Sequence, residues 1–173
     1  MRVIDNFLHK KDFAQLQGWA LEGDIFWQFA QCVVDPDQEQ DEDPSAYQFV
    51  NMLFLSSMGH RNDAIDRIYP ILHLLKPQVL LKAKLNMQMK TDTIRENDIH
   101  TDFTPPLTCT TGIYYINSNN GYSKIGGKKV ESVENRLVLF DGRMPHRGTT
   151  CTDQMRRLVL NLNFQGGQYD QSN

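Results

Sequence analysis

Apolar residues in the first part of the chain follow a helical period twice, with one extended run between the two helical patterns. The spacing from Leu8 to Ala20 predicts a helix, residues 47–55 predict a strand, and residues 62–75 predict a second helix. Pro70 lies inside the second helix and interrupts its hydrogen bonding. These elements predict a helical and extended N-terminal cover over residues 1–78.

From residue 79 the pattern changes to short β-rich runs, separated by turns that contain Asn119-Asn120-Gly121 and Gly126-Gly127. The predicted strands are 79–89, 108–117, 128–133, 136–141 and 158–164. Many short strands with tight turns favour a sandwich or barrel, with the N-terminal helices on one outer face. We predict a mainly β fold with N-terminal helices, in a single domain of residues 1–173 whose β core covers 79–165.

The last predicted strand alternates between two kinds of side chain. Its apolar face carries Leu158, Leu160, Leu162 and Phe164. Its other face carries Arg157, Val159, Asn161 and Asn163. If the apolar face packs on helices, the other face lines an inner cavity. A guanidinium there needs a carboxylate partner, because an unpaired buried charge is costly, and a dicarboxylate cosubstrate would supply one to Arg157. In this register Arg156 falls on the outer face, and a shift of one residue would exchange the two arginines.

Metal-ligating residue types occur in one short motif and at one later position. In His100-Thr101-Asp102 the first and third side chains of an extended segment point to the same side, so they can meet one cation. His146 follows Asp102 by 44 residues, which is enough for several antiparallel strands to return the chain to the same place. Two histidines and one carboxylate form the facial triad of non-haem Fe(II) oxygenases. The same ligands do not exclude a zinc site in a hydrolase.

Composition narrows the functional class. The chain has 173 residues, 40% of them hydrophobic, and a formal net charge of −3, so nothing indicates nucleic-acid binding. No apolar run approaches the roughly 20 residues of a membrane helix, and the N-terminus lacks the order of a signal peptide. We predict a cytoplasmic protein with no nucleic-acid partner and no membrane partner. Three of the five histidines, His9, His60 and His73, are predicted to be structural.

The order of these motifs resembles one enzyme family. The motif order is similar to that of the Fe(II)/2-oxoglutarate dioxygenases. Along the chain it runs from His-x-Asp to Ile113-Tyr114-Tyr115-Ile116-Asn117, then to Pro145-His146, and ends with an arginine and a terminal strand. The chain is most similar to their prolyl hydroxylase-like branch, particularly to small members encoded by bacteriophages and marine bacteria, over about residues 79–164. The resemblance implies a double-stranded β-helix (jelly-roll) core, Fe(II) as the metal, and 2-oxoglutarate and O2 as cosubstrates.

The resemblance also implies roles for individual residues. The iron ligands would be His100, Asp102 and His146. Arg157 would pair with the distal carboxylate of 2-oxoglutarate, and Tyr115 would hydrogen-bond the same carboxylate, with Thr111 beside it on the same strand face. Thr101 or Asp141 would orient the metal ligands.

The sequence departs from the family pattern in two places. Relatives often carry a tyrosine on the strand before His-x-Asp, where this chain offers Asn86 or Gln88. DNA-repair demethylases of the superfamily carry two arginines six positions apart in the last strand, whereas the positions six after Arg156 and Arg157 are Leu162 and Asn163 here. That subclass is therefore disfavoured.

The activity implied by the resemblance is hydroxylation of a C–H bond, with conversion of 2-oxoglutarate and O2 to succinate and CO2. The expected substrate is a prolyl or other residue in a protein or peptide, and a free amino acid or small metabolite is the alternative. An isomerase or hydrolase with a cupin-like or zinc site, and a non-catalytic β-barrel, are the competing classes. The acid-rich segment 35–43 is predicted to be a solvated loop, and near the pocket it would favour a cationic substrate.

Overall fold

The computed structural model describes residues 1–31, 47–103 and 108–169, which form two antiparallel β-sheets and a helical layer. The strands are β1 (Arg2–Ile4), β2 (Gln28–Ala30), β3 (Gln48–Leu55), β4 (His60–Arg61), β5 (Val79–Met89), β6 (Thr110–Tyr115), β7 (Tyr122–Ile125), β8 (Lys128–Glu131), β9 (Arg136–Asp141), β10 (His146–Gly148) and β11 (Arg156–Gln165). The α-helices are α1 (Lys10–Glu22) and α2 (Tyr69–Leu75), and two 3-10 helices cover Ser56–Met58 and Asp63–Ile68.

The two sheets face each other across an apolar core. The larger sheet has eight strands in the order β1-β9-β6-β11-β5-β3-β2, with β4 paired to β3, and the smaller sheet has the order β10-β7-β8. Their inner side chains meet in one cluster, formed by Ile113, Tyr115, Val138, Phe140 and Val159 from the larger sheet and Ile125 and Val130 from the smaller. The predicted mainly β architecture is confirmed.

The helices cover the outer face of the larger sheet. The buried side chains of Leu16 on α1 and Ile71 on α2 belong to the same core cluster as Leu158, Leu160 and Leu162 of β11. Full burial of each such side chain contributes roughly 1.5–3 kcal/mol relative to exposure. The predicted alternation along the last strand is therefore confirmed, because its polar positions face the space between the two sheets.

The predicted boundary between cover and core at residue 79 differs from the structure. Four strands before that residue join the larger sheet: β1 pairs with β9, β3 pairs with β5, and β2 and β4 both pair with β3. The strands β1 and β2 contain three residues each, too few for an alternating pattern to predict them. The segment 35–43 lies outside the described residues.

The predicted helix over 62–75 consists of two shorter helices. Asn62 accepts a hydrogen bond of 2.9 Å from the amide of Ala64 and so caps the 3-10 segment. The α-helix begins only at Tyr69, which puts Pro70 in its first turn, where the missing N–H has no helical acceptor to lose. Among the described residues, no helix has the length and apolarity that crossing a bilayer requires.

The smaller sheet contains two strands that the pattern does not predict, β7 and β10. The hairpin between β7 and β8 turns over two residues, Gly126 and Gly127, whose φ angles are +53° and +80°. Positive φ at both positions is typical of the tight hairpin turn that glycine favours. This hairpin holds β7 beside β10, the strand that begins with His146.

Candidate metal centre and cosubstrate pocket

The two predicted histidine ligands face each other across a short backbone bridge. The amide of His100 donates to the carbonyl of His146 at 3.0 Å, and the amide of His146 donates back at 2.9 Å. Their ring centroids are 4.4 Å apart. Asp102 is attached to the same region, because its amide donates to the carbonyl of Gly142 at 3.0 Å. One ligand atom from each of the three side chains lies within 4.8 Å of the others.

Hydrogen bonds orient both imidazole rings. Nδ1 of His146 lies 3.0 Å from the carbonyl oxygen of Met144, and Nδ1 of His100 lies 3.3 Å from that of Asp98. A carbonyl oxygen can only accept, so each Nδ1 carries the hydrogen of its bond. In a neutral ring with this tautomer Nε2 carries a lone pair, which is the form that binds a metal ion.

The carboxylate of Asp102 is held from three directions. Its Oδ2 accepts hydrogen bonds from the Thr111 hydroxyl at 2.5 Å and from the Asn163 amide at 2.9 Å. The Asn163 amide also donates to the Thr111 hydroxyl at 2.8 Å, which closes a three-membered network. The ammonium of Lys82 lies 3.4 Å from Oδ1. The carboxylate therefore has a fixed orientation before any metal binds.

The charge states of these ligands suit a divalent cation at neutral pH. Burial, together with the neighbouring His146, lowers the pKa of His100 to about 4, so this imidazole is neutral. Burial alone would raise the pKa of Asp102, but Lys82, His146 and the two hydrogen bonds outweigh it and hold the pKa well below its usual range. Two imidazoles and one ionised carboxylate, with positions left open, fit Fe(II) or a similar divalent metal.

A second polar cluster surrounds Arg157, whose side chain is only 4% exposed. Its Nε donates to the hydroxyl of Ser132 at 2.9 Å and its Nη2 donates to that of Ser123 at 3.0 Å. The guanidinium carbon lies 5.6 Å from the centroid of the Tyr115 ring, and the Tyr115 hydroxyl donates to Ser123 at 2.9 Å. In the described part of the chain, no carboxylate forms an ion pair with Arg157.

Burial makes this arrangement energetically demanding. It lowers the pKa of Arg157 and raises the pKa of Tyr115, because both charged forms lose solvation. An arginine nevertheless stays protonated in proteins, so a full positive charge remains beside neutral hydroxyl groups. Gly148 leaves space next to it, since a Cβ at that position would lie 3.3 Å from Nη1 of Arg157. The cluster has the charge and the room to accept a carboxylate.

One cavity of about 60 Å³ connects the two clusters. His100, Asp102 and His146 line one part of it, and Arg157 and Ser123 line another. The side chains of Asn86 and Gln88 also face it, at the positions where relatives often carry a tyrosine. Gln88 donates a hydrogen bond of 2.8 Å to the buried side chain of Asn97.

The structure therefore brings the predicted site residues into two groups. The first is the metal-ligand set, and the second joins Arg157 to Tyr115. Thr111 belongs to the first group: it lies opposite Asn163 on β11, six positions from Arg157, and its hydroxyl bonds Asp102. This placement favours a role in orienting the metal ligand over the expected contact beside Tyr115. Asp141, expected to orient a ligand, instead forms an ion pair with Arg143.

Several site residues have no signal in the sequence. Ser123 lies on β7 and Ser132 directly follows β8, and only the fold brings them to Arg157. Asn163 is predicted to face the cavity, but its bond to Asp102 depends on the pairing of β11 with β6. The other histidines have local partners: His60, for example, contacts the carbonyl oxygen of Met52 at 2.9 Å.

Comparison with known proteins gives matches in structure but not in sequence. No protein-family model and no curated protein matches the chain. A prolyl hydroxylase from Trichoplax adhaerens, in complex with a peptide of the hypoxia inducible factor oxygen degradation domain, is 16% identical with a TM-score of 0.62, over 95% of this chain and 83% of that one. A prolyl-4-hydroxylase from Pseudomonas putida is 15% identical with a TM-score of 0.60, over 95% and 92%.

A third similar structure has a different activity. The epimerase SnoN, in complex with Fe3+, α-ketoglutarate and nogalamycin RO, is 11% identical with a TM-score of 0.65, over 94% of this chain and 77% of that one. At identities this low, the structural similarity establishes the fold alone, and the activity has to be argued from the site. The chain has the double-stranded β-helix fold of the 2-oxoglutarate oxygenases, and its predicted resemblance to their prolyl hydroxylase-like members is confirmed at the level of that fold.

Proposed function

We propose that this protein is an Fe(II)- and 2-oxoglutarate-dependent oxygenase that hydroxylates a C–H bond, converting 2-oxoglutarate and O2 to succinate and CO2. The observation that carries the proposal is the buried guanidinium of Arg157, which within the described ranges donates to hydroxyl groups and to no carboxylate, and which opens on the same cavity as His100, Asp102 and His146. A buried cation without a carboxylate is costly, and a dicarboxylate cosubstrate removes that cost.

His100, Asp102 and His146 would hold the metal. When bound, Fe(II) supplies the activation of O2 that protein side chains alone cannot provide. The chain contributes the geometry: Asn163 and Thr111 fix the carboxylate of Asp102, and the backbone bridge between the histidines fixes their separation. Fixed ligands of this kind reduce the reorganisation that binding requires.

Arg157 would hold the distal carboxylate of 2-oxoglutarate. Ser123 and Ser132 orient the guanidinium, and the Tyr115 hydroxyl, already bonded to Ser123, is close enough to join the same network. Burial of this end excludes water from the cosubstrate, which strengthens the ion pair. With its distal carboxylate on Arg157, 2-oxoglutarate would direct its other end, the keto acid, towards the histidines and the metal.

The substrate we propose is a prolyl or other residue in a protein or peptide. The Trichoplax adhaerens prolyl hydroxylase with a similar fold is in complex with a peptide, which supports this class. The alternative, a free amino acid or small metabolite, is supported by the SnoN structure, which has a similar fold and contains nogalamycin RO. The fold accommodates both kinds of ligand, and a screen for products heavier by one oxygen separates them.

The reaction class has a direct test. Protein loaded anaerobically with Fe(II) is expected to develop a weak metal-to-ligand charge-transfer band on addition of 2-oxoglutarate, and to release succinate in air. Arg157→Ala should raise the 2-oxoglutarate concentration required by at least about tenfold and leave metal binding unchanged, because it removes a charged hydrogen-bond partner. Arg156→Ala is the matched control, since this neighbouring arginine donates to the carbonyl of Leu21 outside the cavity.

Two results would contradict the proposal. One is a wild-type protein that gives no charge-transfer band with saturating Fe(II) and 2-oxoglutarate. The other is equal, background succinate from wild type and His100→Ala with a broad peptide panel, since His100 is one of the metal ligands in the proposal. A hydrolytic zinc site would give the first result and would retain metal binding.

A further inference from the structure

Asn97 is a buried polar residue at the Arg157 end of the cavity, and the proposed function assigns it no role. The residue is 7% exposed and belongs to the cavity lining. Its Oδ1 accepts a hydrogen bond of 2.8 Å from Nε2 of Gln88, which is also buried. Its backbone amide donates to the carbonyl of Gly148 at 3.0 Å. Backbone and side chain are therefore both held in place, and Nδ2 is the side-chain group that neither bond uses.

The missing side chain of Gly148 leaves a space that two hydrogen-bond donors share. A Cβ on this residue would have Nη1 of Arg157 at 3.3 Å and Nδ2 of Asn97 at 3.5 Å as its nearest neighbours. Ser123, whose hydroxyl binds Nη2 of Arg157, is paired with Gly148 across β7 and β10. Neither nitrogen can accept from the other, and the neutral Oε1 of Gln88, at 3.9 Å, leaves the guanidinium charge uncompensated. A carboxylate is an acceptor that both donors can share.

This space has a fixed relationship to the metal ligands. Gly148 and His146 are two positions apart on β10, so a side chain at 148 would point the same way as His146, about 7 Å along the strand. On the segment that bonds to this strand, Asn97 precedes His100 by three residues. A five-carbon diacid is of comparable length. A ligand with one end at the metal would therefore bring its other end to Asn97 and Arg157.

We infer that Asn97 binds the distal carboxylate of 2-oxoglutarate together with Arg157, in the space that Gly148 leaves open. Arg157 supplies the charge, and the amide of Asn97 supplies a second, neutral donor. Gln88 is the positioning residue, because its bond to Oδ1 leaves Nδ2 for the ligand. The inference rests on the proposed function and specifies how the cosubstrate is selected: the site recognises a carboxylate at the far end of a 2-oxo acid.

A pair of 2-oxo acids tests the inference without turnover. 2-Oxopentanoate has the same five-carbon chain as 2-oxoglutarate and lacks the distal carboxylate. In protein loaded with Mn(II), the relaxation of water protons by the ion reports the binding of either acid. Asn97→Leu should weaken the binding of 2-oxoglutarate about tenfold and that of 2-oxopentanoate less than about twofold, because it removes a hydrogen bond to a charged group that only the first acid carries.

A second variant and a control complete the experiment. Asn97→Asp keeps the shape of the side chain and should weaken 2-oxoglutarate by more than about tenfold, because the new carboxylate pairs with Arg157 and repels the ligand. It should spare 2-oxopentanoate. Glu96→Gln is the matched control on the same segment, since Glu96 bonds Tyr122 and Arg147 and does not line the cavity. This variant should leave both affinities unchanged.

The outcomes separate the two proposals. Equal weakening of both acids in Asn97→Leu, or an unchanged affinity for 2-oxoglutarate in Asn97→Asp, overturns the inference. In that case a wild-type preference for 2-oxoglutarate over 2-oxopentanoate still supports the proposed function and the role of Arg157. A wild-type protein that binds neither acid in the presence of saturating Mn(II) overturns the proposed function itself.

Discussion

The side-chain amide of Asn163 donates hydrogen bonds to both Asp102, at 2.9 Å, and Thr111, at 2.8 Å. Asn163 is fully buried, and the strand that carries it is paired on both sides. The bond therefore connects the carboxylate, which lies on an irregular segment, to the most rigid part of the larger sheet. Asn163 holds Asp102 in position before a metal arrives.

Replacement of Asn163 should weaken metal binding without unfolding the protein. In Asn163→Leu, Asp102 keeps only the Thr111 hydroxyl and Lys82, so its orientation is less restricted, and we expect a loss of about 10–100-fold in Mn(II) or Ni(II) affinity by calorimetry. Asn161→Leu is the matched control, because Asn161 faces the same cavity two positions earlier and has no bond to Asp102. Equal affinities of the two variants would contradict the role of Asn163.

Lys82→Met should have the opposite effect on the metal. The ammonium 3.4 Å from Oδ1 of Asp102 competes with an incoming cation, and methionine keeps a side chain of similar length without the charge. We expect the affinity for Mn(II) to increase about three- to tenfold at low ionic strength, and the gain to shrink as salt screens the pair. A decrease in affinity would mean that Lys82 stabilises the site in some other way.

The sequence predicted those parts of the molecule that depend on local pattern. The strand over 79–89 has the predicted bounds, and the alternation after Arg157 correctly divides core from cavity. The ligand set could be proposed because His100 and Asp102 are two positions apart. The hydroxyl groups at Arg157 could not be predicted, because Ser123 and Ser132 reach it only when the smaller sheet packs against the larger one, a long-range relationship with no local signature.

Asn135 provides a test of how the N-terminal segment is attached to the sheet. Its side chain accepts from the amide of Leu8 at 2.8 Å and from the Tyr114 hydroxyl at 2.7 Å, and it donates to the carbonyl of Leu8 at 2.9 Å. Its φ of +56° is in the left-handed region, where a side chain is strained. Asparagine tolerates this backbone better than most residues.

Asn135→Gly separates these two contributions. Glycine relieves the backbone strain and removes all three hydrogen bonds, so a loss of stability reflects the lost bonds together with the greater freedom of glycine in the unfolded chain. We expect a decrease of about 2–3 kcal/mol in the free energy of unfolding, from urea denaturation, since buried partners are left unsatisfied. Asn135→Ala should be worse by about 1 kcal/mol because alanine adds the strain of a positive φ. If glycine stabilises the protein, the hydrogen bonds contribute little.

Glu96 gives the structure a pH-dependent contact between the segment after β5 and the smaller sheet. Its Oε1 accepts from the Tyr122 hydroxyl at 2.7 Å and is paired with Lys124, and its Oε2 lies 3.2 Å from the Arg147 guanidinium. The bonds from Lys124 and Tyr122, together with the charge of Arg147, lower the pKa of this carboxyl group. Folding therefore favours the ionised form.

The sign of the effect follows from linkage. A carboxyl group whose pKa is lower in the folded state contributes stability above its unfolded pKa of about 4.3, and that contribution is lost as the pH falls through the folded pKa. Glu96→Gln removes the charge at every pH. The difference in unfolding free energy between wild type and this variant should be about 1 kcal/mol at pH 7 and should shrink as the pH falls below about 4.3. A difference that stays constant across this range would show that shape, and not charge, holds the contact.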